Sequence, residues 1–184
     1  MEQAISKKSR EVSDLNIACL GLSFKANIDD LRESPALEIT KKVCRMGFKK
    51  NYIVNGVIRK SATGNLTNIE NLLKNRNFIT HHGDVLDLIS IENIIKKVKP
   101  DEIYNFADQD HVRWSFEVPS YSFDVTGGAV IKILEIIKNY SPHSKFFQPF
   151  SSNIFGNNSK KKQNEDETFS PLSIYALGKV TAYY

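Results

Sequence analysis

Apolar runs and amphipathic stretches alternate along most of the chain, and their periods predict the elements. Asn16–Leu20 is a short apolar run that stops at Gly21 and predicts a buried strand. Ser34 followed by Pro35 then predicts a helix start, with a hydroxyl cap and a proline where its missing N–H costs nothing. Leu37, Ile39, Val43 and Met46 continue that helix at near-helical spacing, and Gly47 stops it. Residues 52–58 predict a second strand, 66–73 a helix, 78–81 an extended segment, and 86–98 a helix ended by Pro100. Residues 102–106 predict the next strand, 127–137 a helix, 145–149 a strand, and 174–184 a last helix. Residues 155–170 are polar and low in complexity, which predicts a solvated loop.

Strand and helix repeated about five times predicts an α/β fold with a doubly wound parallel sheet. Such sheets bind ligands beyond the carboxyl ends of their strands, where the strand order reverses. The domain expected here is 15–184, preceded by a polar tail over 1–14. Composition narrows the class further. Of 184 residues, 41% are hydrophobic and 25% charged, as in an ordinary globular domain. The net charge is only +4 and the basic residues are scattered, which argues against a nucleic-acid partner. No stretch approaches ~18 consecutive apolar residues, and the N-terminus lacks an apolar signal core, so neither a membrane span nor secretion is expected. Two cysteines, Cys19 and Cys44, sit in an apolar run and a helical pattern and predict buried thiols in a cytoplasmic protein. No metal site is read.

The candidate chemistry lies near the end of the chain. Tyr175-Ala-Leu-Gly-Lys179 puts a phenol and an ammonium four residues apart on one helix face. A neighbouring cation and a bound nicotinamide charge favour phenolate and would lower the tyrosine pKa toward general-base values. Ser151-Ser152, after the strand at 145–149, would supply a hydroxyl to hold a substrate oxygen. By spacing alone, an ordinary i, i+4 surface pair is the commoner reading of the tyrosine and lysine; the upstream strand ending in Ser-Ser is what strengthens the other.

More of the chain carries a resemblance. The segments are Gly56-Val-Ile-Arg-Lys-Ser61, His82-Gly-Asp84, Pro100-Asp-Glu-Ile-Tyr-Asn105, Gln109-Asp-His-Val112, Ser115-Phe116, Phe147-Gln-Pro149, Asn153-Ile-Phe-Gly156 and Ser170-Pro-Leu-Ser-Ile-Tyr175. Through them, residues from about 49 to 184 resemble the extended short-chain dehydrogenases that act on nucleotide sugars, most closely the GDP-mannose 4,6-dehydratases. The resemblance implies a Rossmann-like domain using NADP on a nucleotide sugar, GDP-mannose above others, in activated-sugar and polysaccharide synthesis. It places Arg59, Lys60 and Ser61 at the 2′-phosphate, Asp84 at the adenine, and Gln109 and His111 in the cofactor and substrate segment. Ser151, Tyr175 and Lys179 fall where the family has its hydroxyl, its base and the base's partner, and Ser152 near the substrate. The physics of Arg59 and Lys60 agrees, because two cations at a strand's carboxyl end suit a dianion. A dimer through the bundle containing the Tyr-x-x-x-Lys helix is also implied, as is a C-terminal substrate lobe. The chain is therefore expected to be a C-terminally truncated domain without that lobe.

Departures from the pattern qualify the reaction. Asn153 stands where the family's eliminating glutamate belongs, and an amide cannot shuttle a proton at neutral pH. Asp108 and Asp110 stand where the family has small residues, and carboxylates beside a cofactor phosphate are unfavourable unless they point away. The first loop, from Gly21 to Ser34, has one glycine and carries Asp29, Asp30 and Glu33, although a pyrophosphate-binding loop needs bare backbone. That opening unit, about 15–47, instead resembles the start of the C-terminal domain of UDP-N-acetylmannosamine and UDP-glucose dehydrogenases. The match rests on Gly21-Leu-Ser-Phe-Lys25, Asn27-Ile-Asp-Asp-Leu-Arg32 and Glu33-Ser-Pro-Ala-Leu-Glu-Ile39. It implies that Phe24 and Lys25 contact a nucleotide sugar. Three readings stay open beside the dehydratase: an epimerase of the same family, a nucleotide-binding domain without catalysis and, last, a UDP-sugar 6-dehydrogenase.

Overall fold

The computed structural model describes residues 15–21, 40–42, 52–60, 66, 69–157 and 162–184. Among the described residues five strands run parallel: β1 (Asn16–Leu20), β2 (Ile53–Ile58), β3 (Phe78–His82), β4 (Glu102–Asn105) and β5 (Lys145–Phe147). Their spatial order is β3-β2-β1-β4-β5, with β1 hydrogen-bonded to both β2 and β4. The chain winds outward from β1 in one direction and then from β4 in the other, so the order reverses between β1 and β4. A crevice forms at such a point.

The central strands read as near-continuous apolar runs because both faces of the sheet are covered. On one face, Ile17, Cys19, Val54, Ile58 and Tyr104 pack with Ile69 and with Leu72 of helix α1 (Glu70–Leu73). On the other, Ala18, Leu20, Val57 and Ile103 meet Ile91, Ile94 and Ile95 of α2 (Leu88–Val98), and Ile133, Ile136 and Ile137 of α5 (Ala129–Tyr140). Helices on both faces make the sheet doubly wound, as the alternating pattern predicts. Residues 40–42 are helical and Thr40 is fully buried, while the remainder of the helix expected over 34–47, including Cys44, lies outside the described residues. Cys19 is a buried thiol in β1.

Register explains how the carboxyl edge comes together. Leu20 pairs with both Val57 and Asn105, so β1, β2 and β4 end level with one another. The Phe106 N–H donates to the Leu20 carbonyl at 3.1 Å and carries β4's path past Gly21. Gly21 has φ +81°, and a Cβ there would lie 2.5 Å from the Ala107 nitrogen. Only glycine fits that approach.

Two short helices lie between β4 and α5: α3 (Trp114–Glu117) and α4 (Pro119–Phe123). The sequence pattern does not announce them. A π-helical turn, Asp124–Gly128, then feeds α5, which begins two residues later and runs three residues further than the expected 127–137. After β5 the chain makes a 3₁₀ turn, Ser152–Phe155, and the last helix, α6, is Ile174–Tyr183. The end of the segment expected to be solvent-exposed loop is in fact anchored. Phe169 packs its ring against Phe155 and Tyr183, and the Ser170 N–H donates to the Ile154 carbonyl at 2.8 Å. Among the described residues no helix is long and apolar enough to cross a membrane.

Candidate active site

Helix α6 is seated by small residues. Ser173 caps it, its side chain accepting from the Ala176 N–H at 3.1 Å. Gly178 then meets Gly127 of the π turn, where a Cβ on Gly127 would lie 2.8 Å from the Gly178 carbonyl oxygen. This approach brings the next residue, Lys179, into the protein with only 2% of its surface exposed. Its ammonium Nζ lies 2.5 Å from Asp108 Oδ2 and donates to the Pro149 carbonyl at 3.0 Å. The Thr126 hydroxyl donates to the other oxygen of Asp108 at 2.7 Å. Asp108 is thus held by the π turn and by α6, and Lys179 ties α6 to the segment leaving β5.

Tyr175 lies one turn earlier on α6 and is 7% exposed. Its ring is 5.6 Å from Lys179 Nζ, and its hydroxyl hydrogen-bonds with Ser151. Ser151 in turn accepts from the Asn153 N–H at 3.3 Å and from Asn153 Nδ2 at 3.2 Å. Gln148, just before, accepts from Asn105 Nδ2 at 2.7 Å, which fixes the end of β5 to the end of β4. Ser151, Asn153, Tyr175 and Lys179 therefore converge as the sequence expects. Their electrostatics do not follow the expectation. Burial pushes Tyr175 up to about 12; Asp108 and, less strongly, Asp110 add to the rise, and the Ser151 hydroxyl opposes it. Burial dominates that rise, and the Lys179 ammonium, expected to favour phenolate, lies 2.5 Å from Asp108 Oδ2, whose charge opposes its own. Asp108, which the sequence marks only as a departure from the family pattern, is a member of the site through its contacts with Lys179 and Thr126.

The other candidate residues occupy different parts of the edge. Arg59 and Lys60 follow β2 and are exposed, and Arg59 Nη1 donates to the Tyr121 hydroxyl at 3.3 Å. Asp84 follows β3, where its carboxylate accepts from the Leu86 N–H at 3.0 Å and its own N–H donates to Ser90 Oγ at 3.1 Å. Asp84 thereby shapes the turn into α2. Gln109 is buried with both ends of its amide satisfied within the protein. Nε2 donates to the His111 carbonyl at 3.2 Å, and Oε1 accepts from Ser122 at 2.8 Å. His111 is exposed and stacks on Trp114 with ring centroids 5.0 Å apart. Ser152 is exposed in the 3₁₀ turn. Ser61, Phe24 and Lys25 lie outside the described residues. Strand order places Arg59, Lys60 and Asp84 after β2 and β3 on one side of β1, while Ser151 and Pro149, the partners of Tyr175 and Lys179, follow β5 on the other side.

A parallel sheet of this order, with a buried Tyr-x-x-x-Lys pair at its carboxyl edge, defines a Rossmann-like α/β domain. Solved structures agree on that fold. A UDP-N-acetylglucosamine 4-epimerase from Methanobrevibacter ruminantium superposes with TM-score 0.73 at 23% identity, over 92% of this chain and 48% of the other. A dTDP-glucose 4,6-dehydratase from Bacillus anthracis, solved with NAD, gives 0.69 at 21% identity, over 92% and 48%. The chain belongs to the GDP-mannose 4,6-dehydratase family, whose sequence profile matches residues 41–184. The GDP-mannose 4,6-dehydratase of Vibrio cholerae is 34% identical over 142 residues, 73% of this chain and 38% of that protein. The human GDP-mannose 4,6-dehydratase is 35% identical over 145 residues, 74% of this chain and 39% of that protein. The chain spans about two fifths of the length of these curated relatives.

Proposed function

We propose that this chain carries the nucleotide-binding and proton-transfer part of a GDP-mannose 4,6-dehydratase-type enzyme that uses NADP and acts on a nucleotide sugar, GDP-mannose above others. The observation that carries the reading is the Ser151–Tyr175 hydrogen bond beside the buried Lys179, at the carboxyl edge of the sheet. The residues suit the cofactor. Arg59 and Lys60 offer two exposed cations after β2 for a 2′-phosphate dianion. Bound NADP would supply hydride exchange with the sugar carbon. The chain's own work is proton handling. Tyr175 Oη exchanges a proton with the sugar hydroxyl, and the Ser151 hydroxyl orients that oxygen. Lys179 holds α6 against Pro149, so that the phenol and serine stay in register. A cytoplasmic setting and a homo-oligomer belong to the same reading.

One observation favours a second outcome within the family. Asn153 gives its amide N–H to Ser151 and has no titratable proton for removing water from the sugar. A reaction that ends at oxidoreduction, as in an epimerase, fits that residue better than dehydration. The coenzyme reading is tested by titrating the chain with NADPH and with NADH, followed by fluorescence. NADPH is expected to bind at least about tenfold more tightly, and Arg59→Ala to bring the two affinities together. Equal binding of both coenzymes, or binding of neither, overturns the proposal.

A further inference from the structure

Lys179 is 2% exposed and its ammonium has two near partners: Asp108 Oδ2 at 2.5 Å and the Pro149 carbonyl at 3.0 Å. Asp108 is fixed independently, since its second oxygen accepts from the Thr126 hydroxyl at 2.7 Å. The phenol ring of Tyr175 is 5.6 Å from the same ammonium. An ammonium alone at that distance in a buried site would pull the phenol toward phenolate. An ammonium with a carboxylate in contact presents a neutral pair, whose field at the phenol is far weaker than that of a lone cation. We propose that Asp108 is a positioning residue that governs the proton on Tyr175 by taking the Lys179 ammonium for itself.

Among the described residues, the groups that act on the phenol are Asp108 and Asp110 from the loop after β4, Ser151 from the segment after β5, and Lys179 from α6 itself. Two of the three charges are negative. Burial acts in the same sense, and Ser151 is the group that opposes it. The consequence is a site that rests with its proton on the tyrosine at neutral pH. In that state Tyr175 is prepared to give a proton to a sugar oxygen, so proton donation during reduction of a sugar ketone is favoured over removal of a hydroxyl proton. The inference rests on the proposed role of Tyr175, but its test requires no coenzyme or sugar.

The experiment is ¹³Cζ-tyrosine NMR of the whole chain between about pH 7 and 11, with Tyr175→Phe identifying the resonance. In the wild type, Tyr175 is expected to stay a phenol across this range. Asp108→Asn keeps the shape and an oxygen for Thr126 but removes the charge. In that variant the Tyr175 titration is expected to fall by at least about one pH unit, a tenfold gain in phenolate, and Asp108→Ala should move it the same way. If Asp108 serves only as a structural brace, Asp108→Asn titrates like the wild type, and that result overturns the inference. If Asp108→Ala does not fold, the isosteric Asn variant decides alone. Failure of the coenzyme titrations with an acid-shifted Tyr175 in Asp108→Asn would sink the proposed function and leave this inference standing.

Discussion

Gly127 and Gly178 meet backbone to backbone, and a methyl group on Gly127 would sit 2.8 Å from the Gly178 carbonyl oxygen. The contact joins the π turn to α6 and sets the depth at which Lys179 enters the protein. Backbone oxygen cannot swing aside as a long side chain can, so Gly127→Ala must push α6 outward. A destabilisation of about 1–3 kcal/mol is expected in urea unfolding, together with weakening of the Lys179–Asp108 contact. Gly128→Ala is the control. Its Cβ would meet nothing nearer than 3.7 Å, and its backbone is helical, so it should be neutral or stabilising by up to about 1 kcal/mol. Equal losses from both variants would show that the approach of the two glycines does not set the cost.

Lys99 ends α2 in the left-handed conformation, φ 45° and ψ 60°, with its N–H donating to the Ile95 carbonyl at 2.8 Å. Glycine is the residue that adopts this geometry without a Cβ penalty. Lys99→Gly is therefore expected to stabilise the domain by about 1 kcal/mol, read as a higher urea midpoint at unchanged slope. A lower midpoint would mean that the lysine side chain contributes more than its backbone strain costs.

The parts of the fold that were legible in the sequence are those with an apolar period. β1 is found at its expected limits because Ile17 to Leu20 are buried on both faces of the sheet, and α2 is found because Ile91, Ile94 and Ile95 share one stripe. Helices α3 and α4 gave no such signal. Their buried positions are Ser115 and Ser122, hydroxyls satisfied by the Val112 carbonyl at 2.6 Å and by Gln109 at 2.8 Å. A face built from serine and proline looks like a loop until the partners are seen. The same division runs through the site. Tyr175 and Lys179 are legible from local spacing on one helix, and Ser151 from its place after a strand. Asp108 was visible as a departure but not as a partner, because its role depends on a glycine contact between distant segments.

The charge state of Tyr175 also reaches stability. Its ordinary value is 10.0, and in the fold burial and the two aspartates push it up to about 12. Between those values the unfolded chain has lost the proton while the folded chain keeps it, so the folded state binds more protons and stability falls as pH rises. The contribution is intact below about pH 10 and is lost progressively toward about 12, on the order of 2 kcal/mol in all. Burial also raises Tyr52 and Tyr104, so the whole protein should weaken in alkali. Tyr175→Phe isolates one share. At pH ~8 it should be less stable than the wild type by about 1 kcal/mol, through loss of the Ser151 hydrogen bond. At pH ~11 the gap should close or reverse, because phenylalanine has no proton to retain. Urea unfolding of both chains at the two pH values measures this, and a gap that stays constant would mean that the folded site does not hold the proton. In an Asp108→Asn background the closing of the gap should move to higher pH, because a phenol that ionises more readily in the fold loses less stability to alkali.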